Sequence, residues 1–142
     1  MKRLHTWLGL GALLAAGCGE LGVGDPCAPQ RPGGLPCPSP DGGTSGCFAG
    51  TEIYIETQSL ACRSRICVVY KYSEETDPRG ADRSKHVYCT CRCGVPPSLA
   101  ANTDESVLCQ CPESFTCLSI ANEQYGPGVQ GSYCIRTETA TR

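Results

Sequence analysis

The chain has 142 residues, enough for one domain, yet it carries 13 Cys, 17 Gly and 11 Pro against one Met, one Trp and two Phe. That balance excludes an ordinary core-driven globule and fits an exported disulfide scaffold. Lys and Arg number 12 and Asp and Glu 14; setting aside Lys2 and Arg3 leaves ten against fourteen, a net of about −4 with no basic stripe, which argues against nucleic acid as a partner.

Residues 1–17 read as an export signal. Lys2 and Arg3 form a charged start, and Trp7 to Ala16 an apolar run that ends in small residues. Ten residues at ~1.5 Å each span about 15 Å as helix, half the hydrocarbon core of a bilayer, so the run is too short to remain as a membrane span. The next residues, Leu14-Ala15-Ala16-Gly17-Cys18, resemble the lipobox of bacterial lipoproteins, with Ala15 where that family usually has Leu. The resemblance implies a small cysteine-rich lipoprotein. Its Cys18 receives diacylglycerol on the thiol, is freed by cleavage before it and is acylated on its new amino terminus. Ordinary cleavage after Gly17 is the competing reading and leaves Cys18 unmodified. Parity favours lipidation: thirteen cysteines leave one unpaired in an oxidising compartment, and modifying Cys18 leaves twelve. The resemblance places the partner membrane in the bacterial envelope, and Gly19 rather than Asp after the cysteine implies the outer membrane.

Residues 18–46 read as the lipidated cysteine and a tether. From Gly19 to Gly46, eight Gly and six Pro make up half of 28 residues, a composition that cannot bury a core and favours extended, slack geometry. Cys27 and Cys37 interrupt it, and they either close a loop on each other or pin the arm to the body. The DGGTSG run does not fit a serine-hydrolase elbow, because Ser45 comes one place late and no strand precedes it.

Residues 47–139 form the expected body, a small, disulfide-rich, mainly β domain of short antiparallel strands, hairpins and long loops, followed by a tail at 140–142. TEIYIET alternates, with Ile53 and Ile55 opposite Glu52, Tyr54 and Glu56. ICVVYKY and HVYCTCRC, joined by the charged loop EETDPRGADRS, predict a hairpin. SLAANTDESVL is the one helical candidate, and VLCQC and SYCIRTET read as further extended segments. The echo of VYCTC in VLCQC is too short to define a repeat architecture.

The twelve cysteines expected in disulfides are Cys27, Cys37, Cys47, Cys62, Cys67, Cys89, Cys91, Cys93, Cys109, Cys111, Cys117 and Cys134. On an extended 87–93 segment Cys89, Cys91 and Cys93 point to one side, with Cα atoms of neighbours roughly 6.6 Å apart and parallel Cβ vectors. They are expected not to bond to one another but to reach different partners, with Cys62 and Cys67 upstream and Cys109, Cys111, Cys117 and Cys134 downstream within range. The body has 23 large apolar residues in 93 positions. Five bridges at ~2 to 4 kcal/mol each supply about 10 to 20 kcal/mol, comparable to a domain's whole net stability of ~5 to 15 kcal/mol.

Repeated Cys-x-Cys also resembles the metallothionein clusters, where thiolates bind soft metals. Export, even parity after lipidation and the absence of paired Cys-x2-Cys spacing argue instead for disulfides and for no metal or other cofactor. No catalytic residue is assigned. His86 is the one histidine after the signal, and Ser84 and Lys85 beside it match no nucleophile–base pattern. Glu74, Glu75, Asp77 and Asp82 interleave with Arg79, Arg83 and Lys85 as a solvated hairpin tip does. The expected function is therefore a non-catalytic binding or structural module of the envelope, acting on another envelope protein or a glycan. A small envelope hydrolase and a metal-thiolate protein are the rival classes.

Overall fold

The computed structural model describes residues 22–30, 48–72, 82–122, 124–126 and 128–141. They form two three-stranded antiparallel sheets. In the first, β1 (Ile53–Glu56) pairs with β2 (Ile66–Tyr70), which pairs with β3 (Val87–Thr90). In the second, the strands are β4 (Arg92–Gly94), β5 (Phe115–Ala121) and β6 (Gly131–Arg136), with β6 in the middle. Four-residue helices α1 (Arg83–His86), α2 (Pro97–Ala100) and α3 (Thr137–Ala140) and a 3-10 turn at Glu105–Val107 occupy connections. This is the small, disulfide-rich, mainly β architecture that the composition implies.

The two-residue period of the strands distributes the core over both faces of the first sheet. Val68, Tyr70, Tyr88 and Ile55 pack against Tyr133, Ile135 and Ala121 of the second sheet, with Ile53 and Ile66 at the margin. On the opposite face, Cys67, Val69, Val87 and Cys89 pack with Cys27, Phe48, Cys62 and Tyr72, and Tyr54 lies against them. A sheet covered on both faces needs apolar side chains at consecutive positions, which is why Cys67, Val68, Val69 and Tyr70 are all buried.

The chain changes sheets at Cys91. Instead of one straight strand from 87 to 93, β3 ends at Thr90 and β4 begins at Arg92. The buried Thr90 hydroxyl donates to the Cys134 carbonyl at 2.7 Å, and the Cys134 N–H donates to the Cys91 carbonyl at 3.2 Å, so β6 holds the crossing point. Nearby, β4 and β6 approach so closely that a Cβ on Gly131 would lie 2.5 Å from the Gly94 carbonyl oxygen, and the φ of Gly131 is +147°. Glycine alone fits there.

Three expectations need correction. VLCQC is no strand: it leaves the 3-10 turn as irregular chain, and the strand of this region is Phe115–Ala121. The segment 98–108 carries the helical turn or two expected of it, in α2 and the 3-10 turn, but it is not the one helical stretch, since α1 and α3 are additional short turns. Residues 22–30, expected within the tether, belong to the body. Gly24 N–H donates to the Cys89 carbonyl and Cys89 N–H to the Asp25 carbonyl, each at 2.8 Å. Pro26 bridges to Tyr88 and Pro29 is fully buried. The predicted β2–β3 hairpin is present, with Cys67 opposite Cys89. Its charged tip, including Glu74, Glu75, Asp77 and Arg79, lies outside the described residues, as do Cys18, Cys37 and Cys47.

Candidate functional site

All ten cysteines among the described residues are in disulfides: Cys27–Cys67, Cys62–Cys89, Cys91–Cys109, Cys93–Cys117 and Cys111–Cys134. Their Cα separations, 5.3 to 6.2 Å, fall within the range such bonds require. The three alternating cysteines do go to three different elements, Cys89 to the 57–65 loop, Cys91 to the segment after the 3-10 turn, and Cys93 to β5.

Each sheet repeats one device. Cys67 and Cys89 face each other across β2 and β3, and Cys117 and Cys134 face each other across β5 and β6. Neither facing pair is bonded. Each of these four sulfurs reaches off its own strand pair instead, so Cys67 anchors the 22–30 segment, Cys89 the 57–65 loop, Cys117 β4, and Cys134 the 108–114 loop. A strand pair already holds its two cysteines together by hydrogen bonds. A bridge between them would constrain little, whereas bridges to loops constrain chain that has few apolar side chains of its own.

The sulfurs gather in three groups, Cys27, Cys62 and Cys89; Cys91, Cys109 and Cys134; and Cys93, Cys111 and Cys117, each within 4.8 Å. The Cys134 sulfur lies 3.7 Å from both Cys91 Sγ and Cys109 Sγ. Such spacing suits a soft metal only when the sulfurs are thiolates. Here every one of them is bonded to another sulfur, and the arrangement is a ladder of stacked disulfides.

The candidate acid–base residues are committed to local structure. His86 is half-buried, its Nδ1 is 2.7 Å from the Tyr70 carbonyl, and its ring lies 6.2 Å from that of Tyr72. Lys85 pairs with Asp82 at 3.2 Å. The cleft they share with Glu138 and Thr139 holds about 20 Å³, room for a water molecule and no substrate. Asp104 accepts from the Ser106 N–H at 2.9 Å, which lowers its carboxyl below the ordinary value. Glu56 is raised by partial burial, which outweighs the backbone hydrogen bond from Gln30, and its Oε2 has no hydrogen-bond partner.

Among the described residues, a cavity of ligand-site size is present. It is open, about 660 Å³, and Gly22, the first of the described residues, is among those that line it. Val23, Ile66, Val107 and Leu108 give it an apolar lining, Arg63 and Arg92 are also among its lining residues, and the Cys91–Cys109 disulfide forms part of its wall. Val107 is 65% exposed, one of two large apolar side chains so exposed among the described residues. The Arg92 guanidinium donates to the Gly128 carbonyl and to the Tyr133 hydroxyl, while its Nε–H is buried without a hydrogen-bond partner. No sequence motif announces this site, because its residues come from four separate segments that the disulfides draw together. No family model, curated protein or solved structure matches the chain.

Proposed function

We propose that the chain is an exported lipoprotein, anchored by acylated Cys18 to the bacterial outer membrane, whose disulfide-braced body is a non-catalytic binding or structural module. The observation that carries this reading is the pairing of all ten described cysteines in five bridges, which belongs to an oxidising compartment outside the cytosol. The LAAGC segment and the odd total of thirteen cysteines supply the anchor. The small fold suits a frame that displays loops, with Asp104 taken up in a cap and Lys85 paired with Asp82.

Intact-mass measurement of membrane-extracted protein, with and without reductant, tests it. The expected species starts at Cys18, carries acyl groups, and gains one hydrogen per bridged cysteine on reduction. A species with an unmodified Cys18, or one whose mass does not respond to reductant, contradicts the proposal.

A further inference from the structure

Three of the bridges are stacked in a row. Cys93–Cys117 joins β4 to β5, and both of its sulfurs lie within 4.8 Å of Cys111 Sγ. Cys111 is bonded to Cys134, whose sulfur lies 3.7 Å from both Cys91 Sγ and Cys109 Sγ of the third bridge. The outer end of this row meets solvent. Of the ten described cysteines only Cys117 is exposed, and Gly94, whose Cβ would lie 4.0 Å from that sulfur, has no side chain to cover it. The inner end is the Cys91–Cys109 bridge in the wall of the open cavity. Cys27–Cys67 and Cys62–Cys89 stand apart from the row, and all four of their cysteines are buried.

We propose that Cys117 is a modification site for a low-molecular-weight thiol, and that the thiolate displaced there is passed along the row to Cys109. Thiol–disulfide exchange is attack of a thiolate on one sulfur of a bridge, which expels the other. The incoming thiolate attacks Cys117 Sγ; its bond to Cys117 forms as the Cys93–Cys117 bond breaks, and Cys93 leaves as thiolate. Cys93 then attacks Cys111, forming Cys93–Cys111 and expelling Cys134. Cys134 attacks Cys91, forming Cys91–Cys134, and Cys109 leaves. One thiol enters and one is released, the incoming proton ends on Cys109, and there is no net oxidation or reduction. Cys109 is the better leaving group of the last pair, because it is half-buried and lines the open cavity, where water solvates its thiolate, whereas Cys91 is 9% exposed. The hydrogen bonds of β4 and β5 to β6 keep Cys93, Cys117 and Cys134 in place while the bridges change partners. The reaction requires the oxidised bridges and is independent of the Cys18 anchor.

The test treats the native, oxidised protein with glutathione, traps free thiols with N-ethylmaleimide at mildly acidic pH, and maps the peptides. A single glutathione should be found on Cys117 and the maleimide on Cys109, with new links Cys93–Cys111 and Cys91–Cys134. Cys27–Cys67 and Cys62–Cys89 should stay intact. The double variant Cys111→Ala/Cys134→Ala removes the middle rung, so its maleimide should move to Cys93 and the Cys109 signal should be lost, with circular dichroism to check the fold. Absence of uptake, or glutathione on any cysteine other than Cys117, would overturn the modification site. Maleimide on Cys93 of the unmutated protein, or on Cys109 of the double variant, would overturn the relay. The map of the unmutated protein decides both points even where the variant does not fold.

Discussion

The bridge from Cys27 to Cys67 should be worth more than the one from Cys93 to Cys117, and the structure says by how much. Cys27 and Cys67 are 40 residues apart, and no other described bridge offers a shorter path between them. In the chain-entropy treatment such a loop is worth about 3.9 kcal/mol at 25 °C. Cys93 and Cys117 are 24 apart, but Cys91–Cys109 already ties the chain beside them. The path from 93 back to 91, across that bridge, and from 109 on to 117 is about ten residues, which reduces the contribution to about 2.7 kcal/mol. Burial adds to the difference, since Cys67 is fully buried while Cys117 is exposed, so alanine leaves a void in one place and none in the other. Urea unfolding of the oxidised double variants Cys27→Ala/Cys67→Ala and Cys93→Ala/Cys117→Ala, followed by circular dichroism, measures both. The first should lose at least about 1 kcal/mol more than the second. It should also become open to proteolysis within 22–30. Equal losses, or a larger loss for the Cys93–Cys117 variant, would refute the effective-loop reasoning.

Burial raises the Glu56 carboxyl above 4.5, so its protonated form favours the fold; that contribution is complete below the unfolded value and is lost as pH rises through the folded one. Glu56→Gln should raise the thermal midpoint at neutral pH and change it little in acid, as a pH series of melting curves would show. The Tyr88 phenol, fully buried and accepting from the Arg136 N–H at 2.9 Å, is pushed up from 10.0 to about 12, chiefly by desolvation. Its stabilising effect is intact below 10.0 and disappears toward about 12, so absorbance titration should find a tyrosine that ionises only with unfolding and is missing in Tyr88→Phe. That variant should also lose about 1 to 3 kcal/mol in urea unfolding, because the Arg136 N–H is left without its acceptor. Gly131→Ala should destabilise far more than an ordinary surface change, measurable in the same assay, since its Cβ meets the Gly94 carbonyl oxygen at 2.5 Å.

The first sheet was legible because its strands combine a two-residue period with β-branched and aromatic side chains, as in TEIYIET, ICVVY and HVYC. Strand geometry also indicates that Cys89, Cys91 and Cys93 seek separate partners. The switch of sheets at Cys91 was not legible, since it depends on the Thr90 hydroxyl and the Cys134 backbone meeting across more than 40 residues. β5 escaped notice because Thr116, Cys117 and Ser119 are exposed, on both faces of the strand, and Leu118 and Ile120 are only half-buried, so its apolar pattern is diluted. The 22–30 segment has a linker's composition and is fixed by distant groups, a bridge to Cys67 and two backbone bonds to Cys89. The cavity was hidden for the same reason: Val23, Arg63, Arg92 and Val107 are neighbours only after the bridges have formed.

Thiol titration of the native purified protein after denaturation without reductant, combined with peptide mapping under the same conditions, bears most directly on this account. None of the ten described cysteines should titrate, and the linked peptides should join 27 to 67, 62 to 89, 91 to 109, 93 to 117 and 111 to 134. Recovery of those cysteines as free thiols, or released as thiolates together with a bound metal, would contradict it.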